Sequence, residues 1–331
     1  MRIERDYFWF RLFKTRGIGR KSLLSIAKIL ETQDLHPEML PRSQSVLSRR
    51  FPELAKLLGK IRAEDRDEVY AEYKQLEKDG VDIIYPKHPD FPPYLLEISP
   101  ILFIKGPRKL LTSEGVAIVG ARNVSNKGID IARHLAAELA RVGKNVVSGY
   151  AKGLDSEAHL GALYAEGTTT LVLPYGIREL RQKSEFQKFD WQRDVLAVSQ
   201  FAPDIKWLAH NAMARNKLIC ALSKAVIVVE SGLERDARGK MSGTFDTAKT
   251  ALNTILPLFV IDPRYFNSQP KGNAKLIELG GLRLDPANGV EEIVKHISDK
   301  KKDSDAKIST GERPVSPIQQ EANQLHMSFP K

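Results

Sequence analysis

A long alternation of apolar and amphipathic segments, beginning at residue 115, constrains the fold of this chain more than any other feature. Six apolar runs have the composition of strands that are buried on both faces: GVAIVG (115–120), KNVVSG (144–149), TTTLVLP (168–174), DVLAVS (194–199), AVIVVE (225–230) and ILPLFVI (255–261). Most of these runs are separated by segments whose apolar residues have helical spacing, at 128–142, 154–166, 209–222 and 243–252. The alternation predicts an α/β fold in which a parallel sheet carries helices on both faces.

The residues before and after this alternation differ from it in composition, and the whole chain is therefore predicted to have three parts. Residues 1–80 hold short helical stretches that glycine and proline interrupt, so we expect a small helical domain there. A proline-rich connector that includes one short strand, ILFIKG (101–106), leads into the sheet domain, which we place at residues 81–298. From residue 299 the chain is polar and lacks periodicity, which predicts a disordered tail over 299–331.

Composition restricts the compartment and the partners. The single cysteine, Cys220, excludes an intrachain disulfide framework and fits a reducing compartment. No apolar run reaches the roughly 18 residues that span a bilayer, and the N-terminus lacks the pattern of a signal peptide. We therefore expect a cytoplasmic protein without a membrane partner. The 51 Lys and Arg residues outnumber the 41 Asp and Glu residues, and the resulting charge of +10 favours a polyanionic partner.

Ligands of open parallel sheets bind at the carboxyl ends of the strands, so the residues that follow each strand are the candidate site residues. After the first apolar run, Gly120 permits a tight turn, and a helix that begins near Gly128 offers free backbone N–H groups to an anion. Arg122, followed by Asn123 and then Ser125, can hold a phosphate through two N–H groups, although it can equally be an ordinary surface arginine. The spacing departs from G-x-G-x-x-G and no acidic residue closes the second strand, so we expect no nicotinamide cofactor.

The second apolar run ends in a similar loop. Ser148 and Gly149, followed by Lys152 and Gly153, precede a helix and form a concavity suited to an anion. These residues are candidates for contact with a phosphate.

Asp155 and His159 lie one helical turn apart in the helix after this loop. As a pair they suggest acid–base chemistry. No serine, cysteine or second carboxylate clearly completes a catalytic set, which favours a capping role for Asp155 and a packing role for His159.

Two later segments carry further candidates. The helix at 209–222 presents Arg215, Asn216 and Lys217, which form either a basic, amide-bearing rim or a solvated face. The charged stretch ERDARGK (234–240) is expected to be a mobile basic loop or a solvated insertion. A second phosphate-type cradle opens the next helix and consists of Ser242, Gly243 and Thr244.

Each of these signals is weak alone, and their convergence carries the prediction. The topology of a parallel sheet brings three helix N-termini to one edge, together with the side chains of Arg122, Lys152, Arg215 and Lys217. We expect a positively charged groove that binds the phosphates of a nucleic acid rather than a closed pocket for a small molecule.

Four motifs in this order resemble the DNA-processing protein family known as DprA or Smf: Gly120-Ala-Arg-x-x-Ser-x-x-Gly128, Ser148-Gly-x-Ala-x-Gly-Leu-Asp-x-x-Ala-His159, Arg215-Asn-x-x-Ile-x-x-Leu-Ser223 and Ser242-Gly-Thr-x-x-Thr-Ala248. The resemblance covers residues 85–285. It implies an extended Rossmann fold, a homodimer, binding of single-stranded DNA and loading of a RecA-type recombinase during natural transformation, without enzymatic activity. By position, it also implies that Arg122 grips the DNA.

The chain departs from the family pattern in several places. Ala212-Met213-Ala214 stands where the family has Phe-Pro before the Arg-Asn pair, and Tyr150 replaces a small aliphatic residue. The segment between Glu230 and Ser242 is longer than in the family, and the polar tail does not match the winged-helix domain that ends many members. These departures suggest a divergent paralogue that acts outside transformation, for instance in defence or in a mobile element.

The two ends of the chain contain one short motif each. Arg16-Gly17-Ile18-Gly19-Arg20-Lys21 is similar to half of a helix-hairpin-helix module, whose glycine turn presents backbone N–H groups to a phosphate. An ordinary turn between two helices is the alternative. In the tail, Gln324-Leu325-His326-Met327-Ser328-Phe329 is similar to the peptides that dock on the bacterial sliding clamp, or is simply part of the disordered tail.

An enzymatic alternative remains open beside the DNA-binding hypothesis. The same superfold includes LOG-type nucleoside-monophosphate phosphoribohydrolases, which need a glutamate in a Pro-Gly-Gly-x-Gly-Thr-x-x-Glu loop. In the comparable stretch of this chain, Thr247 stands where that glutamate is required. A third hypothesis is a scaffold that the tail recruits to replication forks.

Overall fold

The sheet of this protein has nine strands and carries helices on both faces. The computed structural model describes residues 5–41, 43–62 and 65–309. In chain order, the strands are β1 (Asp82–Ile84), β2 (Leu102–Lys105), β3 (Gly115–Val119), β4 (Asn145–Ser148), β5 (Thr169–Val172), β6 (Val195–Ser199), β7 (Val226–Val228), β8 (Leu258–Ile261) and β9 (Leu282–Leu284). Their order across the sheet is β1-β2-β6-β5-β4-β3-β7-β8-β9.

The predicted α/β fold is confirmed, and the six apolar runs all form parallel strands of the sheet. One edge differs from the expectation of a purely parallel sheet. The connector supplies β2, which pairs antiparallel with β6, and a three-residue strand, β1, pairs antiparallel with β2. An antiparallel edge on an otherwise parallel sheet is common in α/β folds.

The helices that cover the sheet are distributed along the whole chain. In chain order they are α1 (Arg5–Lys14), α2 (Arg20–Thr32), α3 (Gln44–Arg50), α4 (Pro52–Leu58), α5 (Arg66–Lys78), α6 (Asn126–Arg141), α7 (Leu154–Tyr164), α8 (Trp191–Asp194), α9 (Ala209–Ala214), α10 (Asn216–Ala221), α11 (Gly243–Asn253), α12 (Lys271–Glu278) and α13 (Gly289–Ser309). Among the described helices, none combines the length and the apolar composition that a bilayer crossing requires.

Alternation along each strand divides the core between the two faces of the sheet. Val116 and Ile118 of β3 are buried against α6, α7 and α13. Ala117 and Val119 of the same strand point the other way and are buried with α10, α11 and α12. Both faces of the sheet are therefore buried from solvent, which explains why the strands are continuously apolar in sequence.

The N-terminal helices pack directly on the antiparallel edge of the sheet. The ring of Phe103 in β2 contacts the rings of Phe10 and Phe13 in α1, with centroid distances of 6.1 and 5.2 Å. Buried residues of α1, α2, α4 and α5 belong to the same hydrophobic cluster as residues of β5 and β6. The helical region predicted for residues 1–80 is present, and it shares its core with the sheet.

Several element boundaries differ from the sequence predictions. The highly charged segment at 53–79, whose pattern predicts one helix that ends at Gly80, forms two helices, α4 and α5. The helix predicted at 209–222 is interrupted at Arg215, where α9 ends and α10 begins. Sequence analysis missed α12 and β9. The last helix, α13, runs through residues 299–309, which the sequence pattern assigns to the disordered tail.

Because the N-terminal helices and the sheet share a core around Phe103, a substitution of this residue tests whether the two unfold together. Replacing Phe103 with alanine removes a buried ring from the contact between α1 and the sheet, and we expect a loss of about 3–5 kcal/mol in the free energy of unfolding. Urea denaturation followed by tryptophan fluorescence and by circular dichroism should shift as one transition in F103A. The control V142A changes a half-exposed residue and should leave the midpoint unchanged. Two separate transitions would show that the helices and the sheet unfold independently.

Candidate nucleic-acid interface

An open groove of about 980 Å³ lies at the carboxyl ends of β3 and β4. The loop between β3 and α6 contributes Arg122, Asn123 and Ser125 to its lining. Across the groove, the loop between β4 and α7 contributes Lys152 and Gly153. Sequence analysis selected all five of these residues, and the fold brings them together at the edge of the sheet where it placed them.

Two glycines allow these loops to approach one another. Gly153 has a φ of +86°, and a Cβ atom at this position would lie 2.2 Å from the carbonyl oxygen of Arg122. A Cβ atom on Gly120 would lie 2.6 Å from the Leu154 side chain. The two loops are thus in backbone contact, which fixes Arg122 and Lys152 around one groove.

The N-terminus of α6 is already occupied by a carboxylate of the protein. Glu230, which follows β7, accepts hydrogen bonds from the backbone N–H of Ser125 at 3.0 Å and from its hydroxyl group at 2.7 Å. The Ser125 oxygen in turn accepts from the N–H of Gly128 at 3.0 Å. A phosphate at this helix end would have to displace Glu230, so the predicted cradle at Gly128 is filled.

The other two predicted cradles differ from each other. The first turn of α7 follows Gly153, which offers no side chain as a cap. The N–H of Leu154 already donates to the carbonyl of Ala121, and Asp155 and Glu157 place two carboxylates in this turn, so only part of this helix end can meet an anion beside Lys152.

In α11, the hydroxyl group of Ser242 accepts from the N–H of Phe245, and neither residue lines the groove. Ser148 is also absent from the lining, because its hydroxyl group is buried and donates to the carbonyl of Ile118 at 2.6 Å.

Arg215 and Asn216 do not form the exposed rim that their sequence pattern suggested. They are only 7% and 3% exposed, whereas Lys217 is exposed but does not line the groove. The side-chain amide of Asn216 ties α10 to α11 by donating to the carbonyl of Gly243 and to the carboxylate of Asp246. The helix is buried on this side because it packs between β7 and α11.

The guanidinium group of Arg215 lies beneath the loop that follows β4. It donates to the carbonyl oxygen of Gly149 at 3.2 Å, and its nearest carboxylate, Asp155, is 4.0 Å away. Its Nε atom has no hydrogen-bond partner, and burial lowers the pKa of this group. Gly149 is required here, because a Cβ atom would lie 1.8 Å from an Arg215 nitrogen. Arg215 therefore places a buried positive charge under the groove.

Lys183 is a groove residue that sequence analysis missed. Its ammonium group donates to the hydroxyl group of Ser156 at 2.6 Å and to the backbone carbonyls of Tyr150 and Ala151. It also lies 4.2 Å from the centre of the Tyr150 ring. Burial lowers its pKa, and nearby carboxylates, of which Glu185 is the strongest, act in the opposite direction. No local motif marks Lys183, because it lies in an irregular segment after β5.

Trp207 is a second residue that the sequence did not reveal. Its ring is 48% exposed, which is unusual for the largest apolar side chain. The guanidinium carbon of Arg122 lies over this ring, 5.8 Å from its centroid. The segment that follows β6 carries Trp207 across the sheet edge to this position, where Ile205 and Leu208 are also partly exposed. A half-exposed aromatic ring and a cation that lies over it thus meet at Arg122, which lines the groove.

The lining of the groove is mixed in charge, which corrects the expectation of a uniformly positive trough. Beside Arg122, Lys152 and Lys183 it includes three carboxylates, those of Glu157, Glu185 and Glu230. Glu157 is held by Arg133 in an ion pair of 2.6 Å, and Glu230 accepts from Ser125. Glu185 accepts from the hydroxyl group of Ser184 at 3.1 Å. All three carboxylates thus have a partner within the protein, whereas Arg122 and Lys152 form no ion pair among the described residues.

His159 has a packing role. Its ring is completely buried, and Nδ1 lies 2.6 Å from the hydroxyl oxygen of Thr169. Because that hydroxyl group donates to the carbonyl of Val146, the His159 ring must donate from Nδ1. Nε2 then carries the lone pair and has no partner. Burial lowers the pKa of His159 well below its usual value, so the ring is neutral.

A turn joins α1 and α2 at the N-terminal motif, as both the helix-hairpin-helix interpretation and the ordinary-turn alternative expect. The turn between α1 and α2 contains Gly17, with a φ of +83°, and Ile18, which is buried. The basic residues Arg16, Arg20 and Lys21 are exposed, as is Gly19, and α2 has no side-chain cap. Binding of DNA by this hairpin remains a prediction. The clamp-like peptide, Gln324 to Phe329, lies outside the described residues.

Comparisons with known proteins point to one family. The profile of the family described as DNA recombination-mediator protein A matches residues 82–297. The DNA processing protein DprA of Bacillus subtilis is 29% identical over 226 residues, which are 68% of this chain and 74% of that protein. The crystal structure of DprA from Streptococcus pneumoniae superimposes with a TM-score of 0.66 and 24% identity, covering 89% of this chain and 98% of that one.

A further solved structure was described for its single-stranded DNA binding mode. It is DNA processing protein A from Helicobacter pylori, which superimposes with a TM-score of 0.54 and 25% identity. The match covers 65% of this chain and 96% of that one.

The neutral, buried His159 predicts a pH dependence of stability. The unfolded chain binds a proton at this residue below about pH 6.5, whereas the folded chain does not, so the free energy of unfolding falls as the pH drops below that value. The slope contributed by one proton is at most about 1.4 kcal/mol per pH unit. Burial also lowers the pKa of His88, which adds a slope of the same sign in every variant.

Urea titrations between pH 7.5 and 5.5 measure this slope. H159Q, which keeps a side-chain donor for Thr169, should have a shallower pH dependence than the wild type. H134Q, at an exposed position of α6, should retain the wild-type slope. Equal slopes in all three proteins would show that His159 binds its proton equally well in the folded and unfolded states, which would contradict the prediction.

Proposed function

The chain belongs to the DNA recombination-mediator protein A family, and on this basis, together with the geometry of the groove, we propose that it binds single-stranded DNA at the carboxyl edge of its sheet. The observation that carries the proposal is the placement of the Arg122 guanidinium over the exposed ring of Trp207. A cation that lies over a half-exposed aromatic ring offers a single strand a phosphate contact and an aromatic contact at one place.

The aromatic face favours a single strand over a duplex. Unpaired bases can stack on a tryptophan ring, whereas the bases of a duplex are already stacked on one another. Ile205 and Leu208, which are near Trp207 in sequence, are also partly exposed and add apolar surface. Arg122 can then hold the neighbouring phosphate through two parallel N–H groups.

The opposite wall of the groove supplies a second place for phosphate. Lys152 is exposed and precedes the N-terminus of α7, so its ammonium group and part of this helix end can face the same anion. Lys183 and Arg215 add positive charge behind this loop while bonding to its carbonyl groups. In this proposal, Lys183 and Arg215 hold the loop in place and make its electrostatic potential more positive. Arg122 and Lys152 contact the DNA strand.

Contacts of this kind give little sequence preference. Phosphates are identical along the strand, and every base has a face that can stack. The DNA-binding mode described for the Helicobacter pylori protein supports the choice of ligand. We propose that the protein acts by binding rather than by catalysis. At the position where the enzymatic alternative needs a glutamate, Thr247 is buried and donates to the carbonyl of Gly243. Release of a free base from nucleotides by the purified protein would favour the enzyme.

We further propose that DNA bound in this way is passed to a RecA-type recombinase and that the protein acts as a homodimer. The family description, which names recombination mediation, supports the first proposal. Strand exchange from DNA coated with single-strand binding protein tests it, and failure of the wild type to stimulate the recombinase would exclude it. Light scattering of the purified chain measures the oligomeric state, and a monomeric mass at high concentration would exclude the dimer.

Replacing Arg122 with alanine should weaken binding of unrelated single-stranded sequences alike. Removing a charged hydrogen bond costs about 1.5–3 kcal/mol, which corresponds to roughly tenfold or more in Kd. The slope of log K against log salt should fall by about 0.7 for each phosphate that the variant no longer neutralises. Gel-shift or anisotropy titrations over a salt series measure both quantities. R141A, on an exposed position at the end of α6, is the control. Wild-type affinity and slope in R122A would place the binding site elsewhere.

Replacing Trp207 with alanine should affect only ligands that have bases. We expect a loss of about 1–3 kcal/mol on single strands, because one stacking partner is removed. An abasic oligonucleotide of the same length should bind wild type and W207A equally, and W207F should retain part of the affinity. If W207A weakened binding of abasic and normal strands equally, Trp207 would hold Arg122 in place rather than stack on a base.

A further inference from the structure

The insertion between β7 and α11 folds into a small hairpin of its own. Arg235 and Met241 pair as an antiparallel bridge at its base. The carboxylate of Asp236 accepts from the backbone N–H groups of Arg238 and Lys240, each at 2.9 Å. Gly239, with a φ of +76°, completes the reversal. The segment that we expected to be a mobile loop therefore has defined internal hydrogen bonds.

The charges of this hairpin, residues 233–241, are not balanced. Its two carboxylates are engaged, since Glu234 pairs with Lys249 of α11 at 2.9 Å and Asp236 closes the turn. Arg235, Arg238 and Lys240 are exposed, and in the described part of the chain none of them forms an ion pair. The hairpin thus displays three cations without carboxylate partners.

The base of the hairpin is fixed at the same edge of the sheet as the groove. Its first residue comes three positions after Glu230, which lines the groove and binds Ser125. Between them, the backbone N–H of Ser231 donates to Asn273 of α12 at 2.8 Å. Gly272 packs so closely on Gly232 that a Cβ atom would lie 2.0 Å from the Gly232 carbonyl oxygen. At the other end, the N–H of Ser242 donates to the carbonyl of Glu234.

This arrangement places two basic surfaces next to each other along the sheet edge. The groove lies over β4 and β3, and the hairpin follows β7, which is the neighbour of β3. Adjacent strands are about 4.8 Å apart, so the two surfaces are separated by a short step along that edge. A polyanion longer than the groove would reach the hairpin if it continued in the direction of β7.

We propose that the hairpin at residues 233–241 is a second phosphate-binding surface, which holds the DNA strand where it leaves the groove. The inference rests on the proposed function, because it takes the groove as the place where the strand is first bound. The hairpin contacts phosphates through Arg235, Arg238 and Lys240 and reads no sequence. It lengthens the site without adding a base-stacking surface, and so it matters only for strands that extend beyond the groove.

Comparison of a short and a long oligonucleotide tests this inference. The hairpin variant R235Q/R238Q/K240Q removes the three charges, and K78Q/K109Q/K295Q removes three exposed charges from other parts of the surface. Kd is measured over a salt series with deoxythymidine strands of about 5 and about 25 nucleotides, which bracket typical single-strand site sizes. Circular dichroism melting verifies that both variants fold.

For the long strand, the salt slope of the hairpin variant should fall by about 2, since each single-strand phosphate contact contributes about 0.7. The short strand should bind the hairpin variant and the wild type alike. The control variant should match the wild type with both strands. Photocross-linking of a long strand that carries 5-bromodeoxyuridine should also label the peptide that contains residues 233–241.

Three outcomes separate this inference from the function on which it rests. If the hairpin variant binds both strands like the wild type while R122A binds both weakly, the hairpin is not a DNA contact and the groove is. If the hairpin variant loses affinity for the short strand as well, the three charges act as a general field rather than as an extension of the site, and the inference is wrong. If the wild type binds neither strand, the proposed function itself fails.

Discussion

Close backbone packing between the loops that follow β3 and β4 is the constraint on which the candidate site depends. Gly153 touches the carbonyl of Arg122, Gly120 lies against Leu154, and Gly149 leaves room for the Arg215 guanidinium. A side chain at any of these positions would collide with backbone, with a packed apolar group or with a buried cation. The three glycines therefore set the width of the groove and hold Arg122 opposite Lys152. Binding residues on a parallel sheet are placed by such contacts, because the strands fix only where the loops begin.

The charges behind the groove are costly for the folded state and useful for an anionic ligand. Arg215 is buried, its Nε atom is unpaired and its nearest carboxylate is 4.0 Å away, while Lys183 donates to carbonyl groups and to Ser156 instead of to an acid. Desolvation of such cations is only partly offset by hydrogen bonds to neutral acceptors. Asp155 and Glu185 offset part of these charges, and the part that remains adds to the potential that a phosphate meets at Lys152. The engagement of Glu157 and Glu230 by Arg133 and Ser125 limits the opposing effect of the acidic residues.

Sequence patterns predicted the strands and helices in which apolar residues recur at regular spacing. The six buried strands and most helices of the sheet domain were found because alternation and helical spacing survive in the sequence, and Arg122 and Lys152 followed from their places after strands. Arg215 was misjudged because its neighbours form an amphipathic pattern, and only the packing of α10 on α11 shows that it is buried. Lys183 and Trp207 lie in irregular segments, and they reach the site through contacts with residues 33 and 85 positions away, Tyr150 and Arg122. No local rule connects residues at such separations.

The edge of the sheet near β2 has a practical consequence for choosing where to cut this chain. The match to the family profile begins at residue 82, yet the ring of Phe103 is covered by Phe10 and Phe13 from the first helix. A fragment trimmed to the matched region would therefore expose the Phe103 ring on the face of the sheet near this margin, and exposed apolar surface promotes association between copies. The region that packs together is longer than the region that the family profile matches. Any expression fragment for crystallography or solution work should retain the leading helices as a built-in cover for that margin.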